Sequence, residues 1–160
     1  MASQKEYKVR GVKFDDESGW PIVVLQEAEN GRCFGIAISV LNVYPVLVAT
    51  EPRKWPNCGG RPVTHDLTLA LTQAGGLRIE RLVINNLTER GVFTAALEVR
   101  ALNGEITRLD ARPSDAIPVA VAAGAPVFVA DDVAAQLTFY GFAELPYRDI
   151  TRADVPDLSR

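Results

Sequence analysis

The chain has 160 residues, 48% of them hydrophobic, enough to bury a sizeable core and within the usual range for one domain. Its formal charge of -3 excludes a strongly basic nucleic-acid groove, because affinity for phosphate backbones comes from clustered Lys and Arg; any such contact must be local. Cys33 and Cys58 form no CxxC pair and only one histidine is present, so neither a zinc site nor a redox motif is indicated and both read as reduced thiols.

Met1 to Glu6 is polar and no signal-peptide apolar core follows. The longest apolar stretch, Val40 to Ala49, is interrupted by Asn42 and Pro45 and is too short to span a bilayer, so a soluble, cytoplasmic protein with no membrane partner is expected. Tyr7 to Phe14 alternates, and after the Asp15 to Gly19 turn comes Trp20 to Leu25, rich in β-branched residues. Asn30-Gly31 signals a hairpin that returns through Arg32 to Ser39, making the first quarter a β-meander.

Val40 to Thr50 suits a buried helix by its apolar run, but Pro45 removes a donor from its middle, so a kinked or short helix is expected. Glu51 to Gly60 reads as a loop. Thr64 then suits an N-cap, with Asp66 in the first turn, Leu67, Ala70, Leu71 and Ala74 on one face, and Gly75-Gly76 as the stop. Three strands follow, Arg78 to Leu87, Val92 to Arg100 and Glu105 to Ala111, the last two joined at Asn103-Gly104. Ser114 would cap a helix to Ala123 that tolerates Pro118 near its first turn; Val127 to Ala130 is a short buried strand, and Asp131 or Asp132 would cap a last helix to about Thr138. Residues 1–146 thus read as one α+β domain of antiparallel strand runs with three to four helices, and 147–160 as a loosely ordered tail.

Two segments carry the chemistry. Arg61-Pro62-Val63-Thr64-His65-Asp66 holds the sole histidine, and Asp110-Ala111-Arg112-Pro113-Ser114-Asp115 repeats its Arg-Pro step before a helix. A helix start leaves unpaired N–H groups and a partial positive charge, so Arg61 and Arg112, with Thr64 and Ser114, suit phosphate binding. His65, at a first turn that disfavours its charged form, suits a general base or acid alongside Asp66 and Asp115. Asp66, Asp110 and Asp115 offer oxygen ligands to Mg²⁺ or Mn²⁺. The same residues would equally serve as helix caps and ion pairs around an ordinary hydrogen-bonding histidine. Trp20, Trp55, Phe93 and Phe128 read as core or interface aromatics; only Trp55, next to Arg53 and Lys54, combines an aromatic with basic neighbours, as a single-strand contact would, although a solvated loop anchored by that one aromatic fits the same residues. No G-x-S-x-G, G-x-G-x-x-G or Walker motif occurs.

Gly60 to Leu67 and Leu109 to Ile117, flanked by Pro21 to Leu25 with Glu27 and by Ala125 to Val129, resemble the paired signatures of the bifunctional nuclease family, also called domain of unknown function 151. The resemblance covers roughly Tyr7 to Leu137. It implies an α+β domain, often a homodimer, with nuclease activity on DNA and RNA. A metal-assisted nuclease with a nucleic-acid substrate is therefore the first expectation, and a non-enzymatic dimeric binding or assembly module the alternative. The family's usual Ile-x-Ile-Gly step and following Glu-Ala pair are replaced here by Ile36-Ala37-Ile38-Ser39 and Asn42-Val43. A missing glutamate at Asn42 would leave the protein either without activity or with Glu27 or Asp66 standing in for it.

Overall fold

A computed structural model describes residues 3–55 and 60–156; Cys58 and the rest of 56–59 in the loop expected over 51–60 lie outside them. β1 (Gln4–Asp15) turns through Gly19, whose N–H closes on the Asp15 carbonyl at 2.8 Å, into β2 (Trp20–Glu27). At the next hairpin Gly31 adopts φ 75°, a conformation cheap only for glycine, and leads into β3 (Cys33–Ala37). Later come β4 (Arg78–Leu87), β5 (Phe93–Arg100), β6 (Ile106–Ala111) and the short buried β7 (Val127–Ala130).

These strands form one sheet in the order β3-β2-β1-β7-β4-β5-β6, with β8 (Arg148–Asp149) also on β1. Every pairing is antiparallel except β4 with β7, which gives the expected α+β class in a single domain. Four α-helices are present among the described residues: α1 (Val40–Thr50), α2 (Thr64–Ala74), α3 (Pro113–Ala122) and α4 (Asp131–Ala134). None is long and apolar enough to cross a membrane.

α1 runs through Pro45 without breaking, where a kinked or short helix was expected. Val43, Val46 and Leu47 are fully buried against the sheet, and their burial outweighs the one hydrogen bond that proline removes. Ser39 secures the start, its Oγ accepting from the Leu41 N–H at 3.2 Å. α3 begins at Pro113, with Arg112 as its N-cap, and α2 begins at Thr64, with Val63 as its N-cap. Both caps thus fall before the residues expected to fill them, Ser114 and Thr64. Proline suits the first helical position of α3 because its missing N–H would be unpaired there anyway.

α4 stops at Ala134 and not near Thr138. The chain is drawn away to the sheet edge, where Tyr140 and Cys33 exchange backbone hydrogen bonds of 2.7 and 2.8 Å. The described part of the expected loose tail is also attached. Tyr147 packs where Gly35 has no side chain, and Arg148 binds Asp16 at 3.0 Å and Asp154 at 2.8 Å. α1 and α3 lie against each other over the same sheet face, so the starts of these two helices come together.

Candidate functional site

The first motif enters α2 with its histidine turned inward. His65 is only 6% exposed, and neither ring nitrogen has a hydrogen-bond partner or meaningful solvent contact. Nε2 lies 3.5 Å from Asp66 Oδ1, while Asp66 Oδ2 accepts the Val63 N–H at 3.0 Å and so closes the first turn. Burial pushes the His65 pKa below its ordinary 6.5, the Asp66 carboxylate pulling weakly the other way, so the imidazole is neutral at pH 7.

The second motif sits where β6 hands over to α3. Arg112 caps the helix with no side-chain acceptor, leaving this end open. Its guanidinium turns back onto Asp115, donating from Nε at 2.7 Å and from Nη2 at 3.1 Å, and this pairing raises its pKa above the usual guanidinium value. The pair is well exposed, so it contributes little to stability. Asn42, on α1, donates from Nδ2 to Asp115 Oδ1 at 3.1 Å. An asparagine here can supply a donor to Asp115 where a glutamate would bring a second negative charge.

Both motifs border one open recess of about 500 Å³, walled by Thr64, His65 and Thr68 of α2, Ser114, Asp115 and Pro118 of α3, and Asn42 and Pro45 of α1. A second recess of about 600 Å³ shares Asn42 and Ser114 with the first and adds Arg112 and Trp20. Thr64, His65, Ser114, Asp115 and Arg112 are therefore gathered along one continuous depression.

Other expected members are not. Arg61 is exposed and borders neither recess, so the two arginines do not converge. Asp110 pairs with Ala96, and strand alternation turns its side chain to the face opposite Leu109 and Ala111, so it meets the recess wall through its backbone. Among the described residues no three His, Cys, Asp or Glu side chains lie close enough to share a cation, so Asp66, Asp110 and Asp115 do not form the expected Mg²⁺ or Mn²⁺ set. Glu27 cannot stand in either: its side chain is fully buried between Lys5 at 3.1 Å and Arg32 at 2.8 Å, on different elements from the recess.

Of the two tryptophans, Trp55 anchors its loop in the core and Trp20 lies open at the surface. Trp55 is a 1% exposed core residue with Arg152 over its ring at 4.3 Å, whereas Trp20 is 50% exposed beside the second recess. Sequence reasoning also missed Asn42 as a partner of Asp115, and the two helix prolines as recess walls. Only the matching position of the prolines along two helical runs was there to find them.

An α+β sheet whose two Arg-Pro segments bring a buried histidine and an open helix start to one recess defines a narrow class of domain. The chain belongs to the bifunctional nuclease domain family, whose model matches residues 23–140. It is also similar to two proteins of Mycobacterium tuberculosis, uncharacterized protein MT1877 of strain CDC 1551 / Oshkosh and uncharacterized protein Rv1829 of strain ATCC 25618 / H37Rv. Each is 30% identical over 131 residues, which is 82% of this chain and 74% of the relative.

Proposed function

We propose that the protein is a nuclease that hydrolyses phosphodiester bonds of DNA or RNA in the recess between α1, α2, α3 and β6. The observation that carries this reading is the meeting of Thr64 and His65 with Ser114 and Asp115 on one wall system. Membership of the bifunctional nuclease domain family supports it. A phosphodiester would lie against the open start of α3, taking hydrogen bonds from the Ser114 amide, the one first-turn N–H not already donated to the Arg112 carbonyl or lost at Pro113, from the Ser114 hydroxyl, and from the guanidinium N–H groups of Arg112 that Asp115 leaves over.

Neutral His65 would take the proton of the attacking water as its oxygen bonds to phosphorus, Asp66 would steady the imidazolium that forms, and the imidazolium would return that proton to the departing oxygen as its bond to phosphorus breaks. Its ring nitrogens are closed off, so substrate entry must turn the ring or the 60–64 segment outward first. Since the carboxylates form no cation cage, no step is assigned to Mg²⁺ or Mn²⁺.

A non-enzymatic dimeric binding or assembly module is the second reading, favoured by Asp115 being tied to Arg112 and Asn42. In either reading we propose a homodimer formed through the exposed leucines of α2. Cleavage of single- and double-stranded DNA and RNA, measured with Mg²⁺, Mn²⁺ or a chelator, separates the two. The nuclease reading expects cleavage that falls at least ~100-fold in His65→Ala while the fold is kept. Absence of cleavage in every condition, or a rate unchanged by the substitution, selects the module.

A further inference from the structure

α1 and α3 pack together, and each has a proline as its sixth residue, Pro45 and Pro118. Proline has no N–H, so the carbonyls of Leu41 and Ser114, four residues earlier, lose their helical donors. All four residues border the first recess. Acceptors are thus offered between walls that are otherwise largely apolar, with Leu97, Leu109 and Val119 among them. His65 adds a side chain that is 6% exposed, borders the recess and has no hydrogen-bond partner at either nitrogen. Arg112 borders the second recess, which meets the first at Asn42 and Ser114 and which Trp20 borders at 50% exposure.

This depression has acceptors and largely apolar walls but little positive charge. A duplex keeps its phosphates on the outside of a stiff cylinder and its base edges paired, so it cannot reach a recessed imidazole. An unpaired base can enter, laying its faces on the apolar walls and giving its amino N–H groups to the carbonyls.

Resting on the nuclease reading of the same recess, we infer that the substrate is a single-stranded polynucleotide with an amino-bearing base between Pro45 and Pro118, one phosphate at Arg112 and a neighbouring base stacked on Trp20. Selection comes from the base, with phosphate charge secondary.

The test is binding in the presence of a chelator, followed by anisotropy of labelled oligocytidylate, oligouridylate and a duplex, and by intrinsic fluorescence. Cytosine and uracil differ in the amino group, so cytidylate should bind about fivefold or more tightly, the value of one neutral hydrogen bond. The duplex should bind most weakly, and log affinity should fall against log salt with a slope of about -0.7, as for a single phosphate contact.

Quenching should vanish in Trp20→Leu, because Trp55 is buried. The cytidylate preference should collapse in Pro45→Ala/Pro118→Ala, which restores both helical donors, with the single variants each losing part of it. Equal affinity for the two oligomers, a duplex bound as tightly as a strand, or a preference that survives in the proline variants would overturn the inference. Strand binding without cleavage upholds it and sinks the nuclease reading, whereas cleavage with a duplex preference does the reverse.

Discussion

His65 is a polar side chain held almost without solvent and without a hydrogen bond, a condition that costs stability and calls for a reason. It is the only histidine in the chain, so it dominates titration between the carboxylates and neutral pH. Burial lowers its pKa from 6.5 in the fold, with Asp66 opposing, so the unfolded chain takes up the proton first as pH falls. The stability it contributes is complete above pH 6.5 and declines as pH drops through that value toward the folded pKa. Thermal melts of the wild type should therefore lose stability as pH falls below 6.5, and His65→Leu should flatten that decline. At pH 7 the same variant should stay within about 1 kcal/mol of wild type or exceed it, since an apolar group replaces one with unmet hydrogen bonds. A wild-type slope retained by His65→Leu would show that the proton binds elsewhere. The sequence marked His65 as chemically distinct, but not that it turns inward. Burial depends on α2 lying over α3, which no local pattern encodes.

Elements were most legible where backbone chemistry is local. The glycines after Asn30 and Asn103 adopt φ of 75° and 87° and close both hairpins where the dipeptides placed them. Helix starts were displaced because Thr64, Ser114 and the carboxylates nearby are all plausible caps, and tertiary position chose Val63 and Arg112. Pro45 was the hardest residue to place, since its local cost and the burial of Val43, Val46 and Leu47 oppose each other and only packing decides. That balance leaves a measurable residue. Pro45→Ala restores the Leu41 hydrogen bond without touching the buried leucine and valines, so it should stabilise the fold by about 1 kcal/mol or more, after the entropy that proline removes from the unfolded chain is discounted. Chemical denaturation should show a higher midpoint at unchanged slope. A lower midpoint would mean that the helix is shaped around the proline ring and that Leu41 already has another donor.

At the scale of the molecule, α2 is the element whose pattern and position disagree. Leu67, Ala70, Leu71 and Ala74 share a helical face, as their spacing indicates, yet that face looks outward, with Leu67 56% and Leu71 65% exposed. Leu102, 93% exposed, extends the patch past the end of the helix, where one of its methyls lies 3.3 Å from the place a side chain on Gly76 would occupy. Asp66 is the one carboxylate on α2, and His65 is neutral, so two copies can bring their stripes together without opposing rows of like charge. Burying two leucines from each copy contributes about 6 kcal/mol in all. Association itself costs at least about 4 kcal/mol, so the dimer should be weak and depend on concentration. Light scattering on a sizing column should give twice the 17.4 kDa chain mass at high loading and drift toward the monomer on dilution. Leu67→Arg/Leu71→Arg should stay monomeric at every loading with an unchanged far-ultraviolet dichroism spectrum, because those side chains are more than half exposed in their own chain. A wild type that runs at the monomer mass even when concentrated, or an arginine variant that still dimerises, would place the contact elsewhere or remove it.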